Sequence, residues 1–145
     1  SEKFKPTAFI GHSVGGMALV VFLKKQTYVH AKKLVLLGAP SGFKGIMKRY
    51  KEMMGYSRKV SIGIDHYIEL KFGHPPHYFS TADFVKNIDT QGLLIHDKRD
   101  RIIPYQDALD IDAQFKSAKL ISTEGLGHSL KGDFITDELI KFLSH

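Results

Sequence analysis

The chain has 145 residues, of which 43% are hydrophobic and 25% are charged, and it contains no cysteine. This composition indicates one globular domain and excludes disulfide bridges and thiolate metal sites. The net charge is +6, but the basic residues are scattered and accompany no recognisable nucleic-acid-binding module, so we expect no nucleic-acid partner. No apolar run approaches the roughly 20 residues that span a membrane. The lack of cysteine is compatible with the cytoplasm, where we expect the protein to reside.

The first predicted elements enclose a Gly-x-Ser-x-Gly motif with Ser13 at its centre. An apolar run at residues 7–10 predicts a strand, and residues 14–25 predict a helix. A serine on such a strand–turn–helix corner is pushed out at the end of a sheet in a strained backbone conformation. We expect the motif glycines, Gly11 and Gly15, to be required because neighbouring backbone approaches too closely for a Cβ.

A second strand is predicted at residues 33–37, after which the alternation of strands and helices stops until about residue 89. Within this stretch the apolar residues recur at helical spacing. The predicted elements are a helix around 46–54, a helix over 60–72 interrupted by Gly63, a stop at 73–77 and a short helix within 78–88.

The last part of the chain returns to alternating strands and helices. Strands are predicted at 93–95 and 120–122, and helices at 105–115 and 133–143. Strands that alternate with helices predict a parallel sheet, and continuous Leu, Ile and Val runs predict helices on both of its faces, an α/β fold. An acid in the segment after one strand, which holds both Asp97 and Asp100, and His128 after the next strand can converge on Ser13 at one edge of the sheet. An imidazole activates a serine hydroxyl, and a carboxylate orients that imidazole.

These features together resemble the C-terminal part of the α/β-hydrolase family, over residues 7–143. The strongest marks are Gly11-His12-Ser13-Val14-Gly15-Gly16, His96-x-x-x-Asp100-x-x-x-Pro104 and Gly125-Leu126-Gly127-His128. The resemblance implies a truncated α/β-hydrolase fold that lacks the N-terminal strands. Its four strands would lie in sequence order, and a helical lid insert at 41–88 would divide a core formed by 1–40 and 89–145.

The resemblance also implies a role for each site residue. Ser13 is the nucleophile, His128 the base, Asp100 the acid, and the backbone N–H of Val14 an oxyanion donor. Three methionines of the insert are candidates for substrate binding, because flexible thioethers suit an acyl or alkyl group; they equally fit packing of the lid onto the body. They are Met47, Met53 and Met54.

Three alternatives concern residues near these motifs. Asp97 is a rival for the acid, because boundaries read from sequence err by a residue or more. His12 is expected to be structural, with its side chain pointing away from the Ser13 side of the turn. His74 and His77 have a spacing that metal ligands can use, but no cysteine or carboxylate is arrayed around them, so we expect no metal.

The resemblance departs from the family before the nucleophile. Family members carry several strands upstream, including the loop that supplies a second oxyanion N–H, whereas here the nucleophile stands at position 13. We therefore expect a fragment, a subunit of a split enzyme or a truncated chain. The predicted strand that begins at Thr7 and ends at Ile10 should then pair with the missing N-terminal half or with a second copy in a homodimer.

The function that this resemblance implies is that of a serine hydrolase acting on a small-molecule carboxylic ester or related acyl substrate, without a cofactor or metal. The motifs do not separate esterase from thioesterase, amidase, peptidase or lipase. The alternative is a non-catalytic, hydrolase-like fragment or interaction domain that needs the missing N-terminal half.

Overall fold

The computed structural model describes residues 6–26 and 29–145. Its strands are β1 (Ala8–His12), β2 (Lys33–Leu37), β3 (Gln91–Asp97) and β4 (Ala118–Thr123). Its α-helices are α1 (Val14–Lys25), α2 (Phe43–Met54), α3 (Arg58–Phe72), α4 (Thr81–Phe84), α5 (Tyr105–Asp112) and α6 (Asp133–Ser144). Two short 3₁₀ turns occupy Pro76–Tyr78 and Val85–Asn87.

The four strands form one parallel sheet in the order β1-β2-β3-β4. This confirms the predicted order, with β1 at one edge and β4 at the other. Parallel strands end at the same side of a sheet, so the segments that follow β1, β3 and β4 lie together there. That side carries Ser13, Asp100 and His128, each of which comes directly or a few residues after a strand.

Helices cover both faces of the sheet, as predicted. Successive residues of a strand point to opposite faces, so the apolar runs of β2 and β3 supply two separate cores. The core on the face of α1, α4 and α5 includes Val20, Leu34, Leu36, Phe84, Leu94, Ile111 and Phe115. The core on the face of α6 includes Val35, Leu93, Ile95, Leu130 and Ile135.

The insert between β2 and β3 holds two long helices with clear ends. Gly55 follows α2 and Gly73 follows α3, both in the left-handed conformation that favours glycine at a helix C-terminus. The predicted interruption of α3 at Gly63 is wrong, because the helix runs unbroken through that residue. A single glycine costs a helix only about 1 kcal/mol, which does not by itself end a helix of 15 residues. The division of the chain into a core and a lid stays a prediction.

The outer edge of β1 carries apolar side chains that remain exposed. Among the described residues β1 pairs only with β2, and Ile10 keeps 48% of its surface accessible. On the adjoining helix α1, Phe22 keeps 41% of its surface accessible while its ring meets that of Phe9 edge to face. In the part of the chain that the structure describes, no helix has both the length and the apolar character to cross a membrane.

Candidate active site

Ser13 occupies a sharp turn between the end of β1 and the start of α1. Its φ of 54° and ψ of −131° place a non-glycine residue at positive φ, which costs on the order of 1–3 kcal/mol. Its N–H donates to the Leu37 carbonyl at 2.8 Å, and its carbonyl accepts from the Gly16 N–H at 3.0 Å. These bonds hold the strained turn and leave the hydroxyl beyond the end of the sheet.

Close backbone packing under this turn depends on Gly11 and Gly16. A Cβ on Gly11 would lie 2.5 Å from the Gly16 Cα, and one on Gly16 would lie 3.0 Å from the Ala39 Cβ. The expectation that Gly15 is needed for close approach is wrong, because a Cβ there would meet nothing within 4 Å. The turn therefore requires Gly11 and Gly16, and Gly16 lies directly after the Gly-x-Ser-x-Gly motif.

The side chains of Ser13, His128 and Asp100 form a continuous hydrogen-bonded chain. His128 Nε2 lies 3.0 Å from Ser13 Oγ, and His128 Nδ1 lies 2.7 Å from Asp100 Oδ2. An ionised carboxylate only accepts hydrogen bonds, so Nδ1 carries the proton and Nε2 is left as the acceptor that faces the serine. The three side chains meet as the sequence predicted; their catalytic roles stay predictions.

Asp100 is held by its own turn. Its side chain is fully buried, and Oδ1 accepts from the backbone N–H groups of Ile102 at 2.8 Å and Ile103 at 2.9 Å. The buried ring of His96 donates from Nε2 to the Ile103 carbonyl at 2.9 Å. The turn therefore leaves Oδ2 directed at His128.

His12 lies against the histidine of this site. Its Nε2 donates to the His128 backbone carbonyl at 2.7 Å, and the two imidazole rings are 4.9 Å apart. The expectation that the His12 side chain points away from the Ser13 side of the turn is wrong. As the last residue of β1, it ties the serine turn to the segment that carries His128.

Asp97 does not contact His128. Its carboxylate accepts from Thr123 Oγ1 and from the backbone N–H groups of Arg99, Gly125 and Leu126. Burial of the carboxylate opposes ionisation, but these four hydrogen bonds outweigh it and lower the pKa of Asp97 to about 2. The carboxylate that meets the histidine is that of Asp100, and Asp97 holds the loops around it.

Solved structures with the same architecture identify the fold. The chain resembles a meta-cleavage product hydrolase from Pseudomonas fluorescens IP01, with a TM-score of 0.61, 16% identity, and coverage of 96% of this chain and 63% of that one. It resembles the esterase domain of a Rhodothermus marinus protein, with a TM-score of 0.63, 20% identity, and coverage of 94% and 59%. It also resembles an alpha/beta hydrolase enzyme from the sediment metagenome of the Mar Chica lagoon in Morocco, with a TM-score of 0.65, 18% identity, and coverage of 98% and 64%.

The chain has the α/β-hydrolase fold. It spans about three fifths of the length of these structures, so its sheet is a truncated form of that fold. No family model and no curated protein matches the sequence.

The three methionines of the insert have different surroundings in the structure. Met47 lines a cavity of about 510 Å³ between α2, α3 and the turn at Pro76, and none of Ser13, Asp100 and His128 lines it. Met53 keeps 75% of its surface accessible, and Met54 is also exposed. A role for these side chains in substrate binding stays a prediction.

The two histidines weighed as metal ligands have other surroundings. The ring of His74 stacks on that of Tyr78 with centroids 3.6 Å apart, and His77 lines the cavity described above. Within residues 6–26 and 29–145, the His, Asp and Glu side chains form no group of three that could hold a metal ion.

Gly38 also lies at this site, directly after β2, although no role was predicted for it from the sequence. It has a φ of 53°, and a Cβ there would lie 3.5 Å from His128 Nδ1 and 3.6 Å from Asp100 Oδ2. A side chain at this position would strain the backbone, and its Cβ would be in van der Waals contact with both members of the His128–Asp100 hydrogen bond. In the sequence, its position directly after a buried strand was the feature that could have indicated a role at the site.

The lowered pKa of Asp97 predicts a loss of stability in acid. An unfolded aspartate has a pKa near its usual 3.8, above the folded value of about 2. The ionised group therefore contributes stability that is fully present above about pH 5 and is lost as the pH falls through about 2. We expect Asp97→Asn to remove this pH-dependent contribution, on the order of 2 kcal/mol, from the free energy of unfolding. Urea unfolding from about pH 6 to pH 2 checks it, with the exposed Asp137→Asn as control.

Proposed function

We propose that the chain is a serine hydrolase that acts on a carboxylic ester or a related acyl substrate. One observation carries the proposal. The hydrogen-bonded series Asp100–His128–Ser13 ends at a serine that is held at positive φ at the N-terminus of a helix. That combination is what an activated serine nucleophile requires. The resemblance to hydrolase and esterase structures supports it.

The proposed reaction begins with transfer of the Ser13 hydroxyl proton to His128 Nε2 as Oγ attacks the acyl carbon. Asp100 stabilises the imidazolium that forms and holds its orientation. The carbonyl oxygen becomes an oxyanion, for which the N–H of Val14 is a donor, because the first N–H groups of a helix have no intrahelical acceptor. The bond from the acyl carbon to the leaving group then breaks as His128 gives its proton to that group. In deacylation His128 takes a proton from the attacking water, and the bond from the acyl carbon to Oγ breaks as Ser13 regains its proton.

Covalent labelling by a fluorophosphonate tests this proposal most directly. The reagent reacts with an activated serine whatever the natural acyl substrate is. We expect one label per chain on Ser13, found by peptide mass spectrometry, and no label in Ser13→Ala. An unlabelled wild-type protein with a native circular dichroism spectrum would contradict the proposal.

A second candidate function is that of a non-catalytic interaction domain, favoured by the exposed apolar residues at the β1 edge. Exposed strand edges invite pairing with another chain, and a contiguous apolar patch marks an interaction surface. In this alternative, another polypeptide, either a second copy of the chain or an N-terminal polypeptide, covers Ile10 and Phe22. The fluorophosphonate experiment separates the two functions.

The same edge predicts association of the chain in solution. We expect light scattering at micromolar concentration to show a dimer, and Ile10→Thr with Phe22→Ser to shift it to a monomer. The control is Ile140→Ser, which removes a similarly exposed side chain from α6. If an N-terminal polypeptide is the partner instead, the chain is a monomer with weak turnover, since loss of one oxyanion donor costs about 10²–10³ in rate. A monomer with the turnover of an intact esterase would contradict both forms of the prediction.

A further inference from the structure

The fully buried carboxylate of Asp97 is bonded to two loops at once. Oδ1 accepts from the Arg99 N–H at 2.9 Å, within the turn that leads to Asp100. Oδ1 also accepts from the Gly125 N–H at 3.3 Å, and Oδ2 accepts from the Leu126 N–H at 2.8 Å. These last two groups belong to the loop that leads to His128. One side chain therefore spans the gap between the acid loop and the histidine loop.

We propose that Asp97 is a positioning residue that sets the distance and orientation of His128 relative to Asp100 and Ser13. The proposal rests on the serine hydrolase function proposed above. Asp97 touches neither the reacting hydroxyl nor the imidazole, so it acts through the two loops. The 2.7 Å contact between Asp100 and His128 depends on how far apart these loops are held.

Besides its bonds to Asp97, the histidine loop is fixed by the hydrogen bond from His12 Nε2 to the His128 carbonyl and by the packing of Leu126 and Leu130 on the core. Gly125 and Gly127 both have positive φ, at 106° and 63°, and a Cβ on either would meet nothing within 4 Å. Glycines of this kind leave a loop with large conformational freedom unless hydrogen bonds restrict it. The ion pair between Arg99 and Glu124 joins the same loops at 3.0 Å, but both side chains are exposed, so it restricts them weakly.

The donors around the Asp97 side chain require an ionised carboxylate. Oδ2 also accepts from Thr123 Oγ1 at 2.7 Å, so each oxygen of Asp97 faces two donors. A carboxylate has lone pairs for all four donors, whereas an amide offers one oxygen and turns an NH₂ group toward the other two donors. Asp97→Asn therefore keeps the size of the side chain and breaks the connection between the loops.

Fluorophosphonate labelling separates positioning from folding, because its endpoint and its rate measure different properties. The endpoint counts folded sites, and the rate reports how well His128 activates Ser13. We expect Asp97→Asn to reach nearly one label per chain at a rate lower by about 10- to 100-fold, the effect of a displacement of about 1 Å. Asp83→Asn is the control, since this exposed carboxylate binds only near its own helix, to Lys86.

A second pair of variants covers the case in which Asp97→Asn does not fold. Thr123→Val removes one of the four donors, and Thr123→Ser restores a hydroxyl at the same place. We expect Thr123→Val to slow labelling by a few-fold and Thr123→Ser to recover most of the rate. A lower endpoint with an unchanged rate, or no change in either quantity, would overturn the proposal.

An independent measurement distinguishes failure of this inference from failure of the proposed function. The Nδ1 proton of His128, bonded to Asp100, is observable by NMR whether or not Ser13 reacts. We expect Asp97→Asn to shift or broaden this resonance and to speed amide exchange at Leu126. An unlabelled wild-type protein defeats the hydrolase proposal, and unaltered His128 and Leu126 signals in Asp97→Asn defeat the positioning role.

Discussion

Replacement of Ser13 by alanine is expected to reduce hydrolysis of a simple ester such as p-nitrophenyl acetate by about 10⁴- to 10⁶-fold, to the background rate. The hydroxyl is the only group of this residue that the proposed reaction uses. Alanine bears the same strain at a φ of 54°, and its N–H still donates to the Leu37 carbonyl. The fold should therefore be retained while the nucleophile is lost, and steady-state kinetics of purified wild type and variant provide the measurement.

Two controls make this result specific. Ser144→Ala removes an exposed hydroxyl at the end of α6 and should leave turnover unchanged. Thermal unfolding should give similar midpoints for wild type and Ser13→Ala, which excludes global unfolding as the cause. Turnover by Ser13→Ala equal to that of the wild type would show that the measured hydrolysis comes from another group or from a contaminant.

The main elements of the fold were predictable because each bears a local signal. The helix over residues 14–25 and the strand over 33–37 match α1 and β2 to the residue, since glycine or polar residues bound their apolar runs. Strand β3 is longer than the predicted 93–95, because His96 and Asp97 are polar yet buried. Their pairing with Ser122 and Thr123 extends the strand, and tertiary contacts of this kind leave no periodic signal in the chain.

The order of the strands was predicted on a different basis. Helical crossovers fix the parallel direction of the strands but leave their order open. The sequential order came from the resemblance to a known family, and the structure confirms it. The same resemblance supplied Asp100 over Asp97, a choice that spacing alone leaves open because both aspartates closely follow the strand predicted at residues 93–95.

Details of the site that depend on close three-dimensional packing could not be predicted. Gly15 and Gly16 are adjacent in sequence, and only the path of the backbone shows that Gly16 is the one that packs against Gly11. His12 contacts a histidine that is 116 residues away along the chain. Asp97 joins two loops through backbone N–H groups, which carry no sequence signal at all.

Replacement of Asp100 by asparagine is expected to lower kcat/KM for the same ester by about 10⁴-fold without disturbing the fold. The structure fixes how the new amide must lie. The N–H groups of Ile102 and Ile103 both point at Oδ1, so the amide oxygen takes that place and the NH₂ group replaces Oδ2. The NH₂ then faces His128 Nδ1, which can only accept from it, and the ring proton moves to Nε2. Nε2 is the atom that faces Ser13, so the proton acceptor is lost.

The comparison with two other aspartates decides whether Asp100 is the acid. Asp107→Asn changes a buried carboxylate that accepts from the Ser41 N–H and makes no hydrogen bond to His128 in the described residues, so it should keep nearly full activity. Asp97→Asn should lose about 10- to 100-fold, because it displaces His128 and leaves the proton on Nδ1. Substitution of Asp100 and substitution of Asp97 should thus differ in their effect on the His128 Nδ1 proton as well as in the size of the activity loss. Only Asp100→Asn should abolish the His128 Nδ1 proton resonance, whereas Asp97→Asn should shift or broaden it. Loss of activity in Asp97→Asn greater than in Asp100→Asn would reverse the two assignments.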